Sequence, residues 1–105
     1  MHDASEIANY LAMIATKIRE NVNRDLCRSA KPETIFAIQL KPDGTLQGSP
    51  RLIQSSGVAS CNLAIERAIL QSLPLPVPGN PESFNTMREL HLRFRPHIDF
   101  FESSE

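Results

Sequence analysis

Glu33-Thr-Ile-Phe-Ala-Ile-Gln-Leu-Lys41 runs directly into Pro42-Asp43-Gly44. The first nine residues alternate, with Phe36, Ile38 and Leu40 on one face of an extended chain and Ala37, Gln39 and Lys41 on the other. A period of two marks a strand with one buried face. Proline then fixes one backbone angle, and glycine supplies positive φ at no steric cost, so the chain reverses into a hairpin. The return strand, about Thr45 to Gln54, is interrupted by Gly48 and Pro50. Proline lacks an amide donor and is tolerated mainly at sheet edges, which places this strand at an edge.

Upstream, Ile7, Tyr10, Leu11, Ile14, Ile18 and Val22 recur in steps of three and four and draw one apolar stripe along a helix over residues 5 to 23. Asp3 and Glu6 have the spacing of a capping box ahead of it. Downstream, Ser55-Ser56-Gly57 punctuates the chain, and Val58, Cys61, Ala64, Ile65, Ala68 and Ile69 form a second helical stripe ending near Ser72. The alternate prolines of Leu73-Pro74-Leu75-Pro76-Val77-Pro78-Gly79 remove donors and push each preceding residue into extended geometry, so this segment reads as a stiff connector. Arg88-Glu-Leu-His-Leu-Arg-Phe-Arg95 alternates again, with Leu90, Leu92 and Phe94 inward, Glu89, His91, Arg93 and Arg95 outward, and Pro96 as the stop.

The element order is helix-strand-strand-helix-strand. With the first strand between the other two, the sheet is antiparallel in the order 2-1-3, and the helices cover one face. The expected fold class is α+β, a two-layer sandwich. Residues 1–105 form a single domain with its core over about 5–96 and a tail over 97–105, where Phe100 and Phe101 stand either disordered or capping the sheet. Both sheet edges then belong to the second and third strands. The third has no internal proline or glycine, so Arg88, Glu89, Leu90, His91, Leu92, Arg93, Phe94 and Arg95 present the better ladder for an incoming peptide. Its arginines favour an acidic partner segment, or else protect the edge from aggregation.

Charge is balanced, 11 Lys+Arg against 12 Asp+Glu, which gives no global pull toward nucleic acid or acidic membranes and points to protein partners. No apolar run is long enough to span a membrane, and the start lacks the basic-then-apolar pattern of a signal peptide, so this piece is expected neither to span nor to direct its own export. Cys27 and Cys61 are too few and too far apart for a paired C-x-x-C zinc site, and suit one disulfide or two buried thiols. His2, His91 and His97 show no i, i+4 pairing, and nothing around Cys61 marks a nucleophile. The reading is therefore no enzyme, no metal and no cofactor.

Tyr10-x-x-x-Ile14-x-x-x-Ile18, then Ile38-Gln-Leu-Lys-Pro-Asp-Gly44, then Gln54-Ser-Ser-Gly57 before a helix with Ala64 and Ala68, and the closing Leu92-x-Phe94-x-Pro96 follow one another in this order. In order and spacing this resembles the TolA and TonB C-terminal domain family over about residues 7 to 96. The longer opening helix, the Arg93-Phe94-Arg95-Pro96 ending and the missing Tyr-Pro pair before the first strand look like the TolA branch. In some members a cysteine of the first strand bonds to one at the start of the second helix. Cys61 matches the latter, whereas Thr34 stands where the former would be and Cys27 lies earlier. The first helix leads into the first strand beside the start of the second helix, so a Cys27–Cys61 bond is the expected variant.

The resemblance implies a periplasmic protein-binding domain on a parent chain anchored in the inner membrane. Through parts outside this sequence, that parent engages the motor proteins TolQ and TolR. The domain itself would bind the N-terminal segment of TolB by strand addition, contact the lipoprotein Pal, and serve colicins and filamentous phage coat protein domains as a receptor. A TonB-type domain binding the TonB box of outer-membrane transporters, and a self-associating structural domain, are the alternatives.

Overall fold

The alternation of the opening stretch becomes strand β1, Thr34–Gln39, at the centre of an antiparallel sheet. The computed structural model describes residues 4–95 and, at backbone level, 102–104. Ahead of β1 lie helix α1, Ala4–Arg19, and a 3-10 turn, Arg24–Cys27; after it come strand β2, Arg51–Gln54, and helix α2, Ala59–Gln71. Helix α3, Pro81–Met87, leads into strand β3, Glu89–Phe94, and a short strand β4, Glu102–Ser104, closes the series. The sheet order is β2-β1-β3-β4, so the expected 2-1-3 arrangement is present, with β4 added outside β3.

Burial follows the two periodicities. Phe36, Ile38 and Leu40 of the first hairpin arm and Leu90, Leu92 and Phe94 of β3 are buried, as are Ile7, Ile14 and Ile18 of α1 and Cys61, Ile65, Ala68 and Ile69 of α2. Together they form one core between the helices and one face of the sheet, in which the rings of Phe36 and Phe94 meet edge to face at 6.4 Å. Alternation puts Ala37 on the outward face, yet it too is buried. It sits on the central strand with Arg51 and His91 as its lateral register partners, whose longer side chains flank its methyl group on the open face.

The turn closes as expected. The Gly44 amide donates to the Lys41 carbonyl at 2.9 Å, and Lys41 in turn donates to Thr45 at 2.8 Å. The return arm is shorter than the sequence suggests. A single bridge joins Leu40 to Leu46, and regular pairing resumes only at Arg51, past Gly48 and Pro50, with a bulge between Ile35 and Phe36. Asp43 Oδ1 accepts from the Thr45 hydroxyl at 2.6 Å and from the Thr45 amide at 3.0 Å. These bonds, the hydroxyl first, hold the Asp43 carboxyl below the ordinary carboxylate range.

A folded-state value below the unfolded one stabilises the fold at neutral pH, and that contribution is lost as the pH falls through the ordinary carboxylate range to the folded value. Asp43→Ala is therefore expected to lower the melting temperature at neutral pH. Thermal melts across acid pH should show the native and variant chains converging once Asp43 is protonated in both folded and unfolded states.

The motif Gln54-Ser-Ser-Gly57 has a local cause. The buried Ser56 hydroxyl donates to Asn62 Oδ1 at 2.6 Å and accepts from the Val58 amide at 3.1 Å, while the Ser56 amide donates to the same Asn62 oxygen at 3.0 Å. The Ser56 carbonyl accepts from the Lys31 amide at 2.8 Å. One serine thus joins the end of β2, the first turn of α2 and the segment entering β1. Beside this junction Cys27 and Cys61 are bonded to one another, tying the 3-10 turn to α2.

Helix α3 is not among the expected elements. Asn80 caps it, its side chain accepting from the Glu82 amide at 2.8 Å, and Pro81 occupies the first helical position, where its missing donor costs nothing. Phe84 and Met87 add to the core. Asp3, Pro96, Phe100 and Phe101 lie outside the described residues. Among the described residues no helix is long and apolar enough to cross a membrane.

Candidate partner-binding edge

Strand β3 is anchored at both ends. At its start the Leu40 amide donates to the Arg88 carbonyl at 2.7 Å, and the Arg88 guanidinium lies over the Phe84 ring at 5.9 Å. At its far end Arg95 Nε donates to Glu33 Oε2 at 3.2 Å, clamping the exit of β3 to the entry of β1. Between these points the register is unbroken, from Gln39 opposite Glu89 to Thr34 opposite Phe94. Gln39 also donates to Glu89 at 3.3 Å across the open face. The strand is therefore a regular ladder anchored at both ends, which suits strand addition.

The structure brings Arg88, Glu89, Leu90, His91, Leu92, Arg93, Phe94 and Arg95 together as one continuous segment and divides them by role. Leu90, Leu92 and Phe94 are buried and belong to the core, so only their main-chain groups could meet a visitor. Arg88 and Arg95 are engaged with Phe84 and Glu33. Arg93 is half-buried, and its Nε has no hydrogen-bond partner among the described residues. Of the three arginines expected to meet an acidic segment, Arg88 is exposed, whereas Arg93 and Arg95 are half-buried and the Arg93 Nε is shielded from solvent.

One expectation is corrected. Strand β3 is not an edge over its whole length, because β4 pairs with it antiparallel, Ser104 opposite His91, Ser103 opposite Leu92 and Glu102 opposite Arg93. The unpaired groups that make an edge attractive also recruit whatever segment of the same chain can reach them. Nothing in Glu-Ser-Ser announces a strand. On the opposite side, β2 has no outer neighbour among the described residues, and Leu52 and Ile53 there are 44% and 51% exposed.

Cys61 carries no free thiol, its sulfur being bonded to Cys27. Among the described residues no group of three or more His, Cys, Asp or Glu side chains could hold a metal ion.

The family model for the TonB C-terminal region matches residues 7–94, from the first buried isoleucine of α1 to the last residue of β3. The chain belongs to the TonB C-terminal domain family. Comparison with curated proteins returns no significant match. Among solved structures, this member of the family superposes on the solution NMR structure of TolAIII bound to a peptide derived from the N-terminus of TolB. The TM-score is 0.70 at 20% identity, and the match covers 92% of this chain and 81% of the other. At that identity the likeness establishes a shared fold. The TolA and TonB resemblance of the sequence is thus borne out at the level of the family.

Proposed function

We propose that this domain is a periplasmic protein-binding module of a TolA-type energy-coupling protein, which takes up an extended segment of its partner along β3. The observation that carries the reading is the fold shared with a TolAIII that was solved holding a peptide from TolB. The local chemistry supports it: the strand is free of proline and glycine, clamped at both ends, and accompanied by Arg88, Arg93 and Arg95, cations suited to an acidic segment. The TolB N-terminal segment is then the primary partner. Pal, colicins and filamentous phage coat protein domains are further candidates for the same surface, and TolQ and TolR would engage the parent chain elsewhere. In this reading the parent chain is anchored in the inner membrane, and the domain catalyses nothing.

Titrating the TolB N-terminal peptide while recording backbone amide shifts tests this. The expected result is a saturable response centred on residues 88 to 95. A response to the TonB box of an outer-membrane transporter but not to the TolB peptide would assign the domain to the TonB branch instead. Peptide-independent, concentration-dependent dimerisation with shifts at Arg51–Gln54 would overturn the reading in favour of self-association through the exposed β2 edge.

A further inference from the structure

A hollow of about 260 Å³ opens just ahead of β3, where parts of the chain that are distant in sequence meet. The hairpin turn supplies Pro42, the connector supplies Pro78 and Gly79, and α3 supplies Pro81, Phe84 and Arg88. Its walls are already fixed. The proline rings have no freedom about φ, the Leu75 amide donates to the Gly44 carbonyl at 2.8 Å and so holds turn and connector together, and the Leu40 amide pins the Arg88 carbonyl. Pro78 and Phe84 are buried, whereas Pro42, Gly79, Pro81 and Arg88 are exposed, which gives the hollow an apolar floor and an open mouth. Neither turn geometry nor packing calls for a glycine at position 79: its φ is not in the left-handed region, and a Cβ there would meet nothing within 4 Å. The missing side chain leaves the mouth clear.

The lining selects the occupant. Small-molecule sites enclose roughly 300–1,000 Å³, so a hollow of this size suits one side chain rather than a whole metabolite. It offers flat rings and a planar cation in place of an aliphatic socket. The Arg88 guanidinium lies over the Phe84 ring at 5.9 Å, and a guanidinium stacks on aromatic faces while the donors along its edge pair with a carboxylate. From this we infer that the hollow is a socket for one aromatic side chain of a partner, with a carboxylate next to it that Arg88 receives. The inference deepens the proposed reading and rests on it for the nature of the partner, an extended protein segment. A neighbouring hollow lined by Asn85, Thr86, Arg88, Glu89 and His91 shares Arg88 with the first and continues it toward β3. A segment laid along β3 therefore runs past Arg88 into the socket. Main-chain pairing supplies affinity without reading side chains, and the socket adds the selectivity that the ladder lacks. Because the walls are preset, little ordering opposes the binding.

The probe is N-acetyl-tryptophan, which carries a ring and a carboxylate on one small molecule. The chain has no tryptophan of its own, so the fluorescence of the probe reports binding directly. The expected result is saturable binding with backbone amide shifts at Gly79, Phe84, Asn85 and Arg88. The uncharged N-acetyl-tryptophanamide and the aliphatic N-acetyl-leucine should each bind about five- to tenfold more weakly, and Arg88→Ala should weaken the probe by about tenfold. Arg88→Lys keeps the charge without the planar group and should fall between; it carries the same comparison if the alanine variant loses its folded amide spectrum. Equal affinity of the native and variant chains for the probe would overturn the inference, as would equal affinity for N-acetyl-leucine. Titrating the TolB N-terminal peptide alongside separates the two readings. Absence of probe binding while that peptide moves residues 88 to 95 would overturn the socket alone. Probe binding at the socket with no response to any peptide along β3 would overturn strand addition, and with it the assignment of the socket to a partner segment.

Discussion

Replacing Cys27 and Cys61 together by alanine is expected to lower the stability of the domain by about 4 kcal/mol, the chain-entropy value for a closed loop of this length. The two cysteines are 34 residues apart in sequence, and the bond therefore removes a large share of the conformations open to the unfolded chain between the 3-10 turn and the start of α2. A domain of this size has about 5–15 kcal/mol in all. The loss should appear as a fall in melting temperature of roughly 15–30 °C, at about 4–8 °C per kcal/mol. Both cysteines are fully buried, so reductant should reach the bond only through local opening, and the native chain should lose it slowly while folded. Melting curves of the native and double-alanine chains that differ by only a few degrees would show that the bond merely decorates contacts that Ser56 and Asn62 already secure.

The bonded pair illustrates how far sequence reading goes here and where it stops. Alternation identifies β1 and β3, and spacing of three and four identifies α1 and α2, because each presents one face to the core and physics writes that requirement into every turn or pleat. Helix α3 obeys the same rules but is short and follows the proline-rich connector, whose punctuation masks it. Its signature is present in Asn80-Pro81, a cap followed by a residue suited to the first helical position. β4 has no such signature. Glu102–Ser104 is a strand only because β3 offers it a ladder, so its existence is a tertiary fact that no local pattern encodes. The candidate site is therefore half legible: the residues of β3 and their facing can be read, but not the occupant beside them. The arginines divide in the same way, since the partners of Arg88 and Arg95 come from α3 and from the residue before β1, which alternation within β3 does not reveal.

Gly44→Ala should be the most damaging single substitution in the hairpin, at about 2–5 kcal/mol, the sum of two costs. Part of that is conformational. Gly44 has φ +88°, a region in which an L side chain costs roughly 1–2 kcal/mol. The rest is steric and cannot be foreseen from Pro42-Asp43-Gly44 alone. A Cβ on Gly44 would collide with the main-chain carbonyl oxygen of Leu75 in the proline-rich connector, whose amide donates to the Gly44 carbonyl at 2.8 Å. Two backbones touch at this point, and neither can yield as a flexible side chain could. Relieving the clash would separate them and leave a buried pair of polar groups unmatched, at about 1–3 kcal/mol. Gly48 separates the two causes, because it has φ +80° and a Cβ there would meet nothing within 4 Å. Gly48→Ala should therefore show the conformational cost alone, about 1–2 kcal/mol. Denaturant unfolding of both variants reads the difference directly: equal losses would mean that the turn and the connector are not in contact in solution. A clearly greater loss for Gly44 would establish that the hairpin turn holds the connector in place, and with it Leu75 and the α3 segment from which β3 sets out.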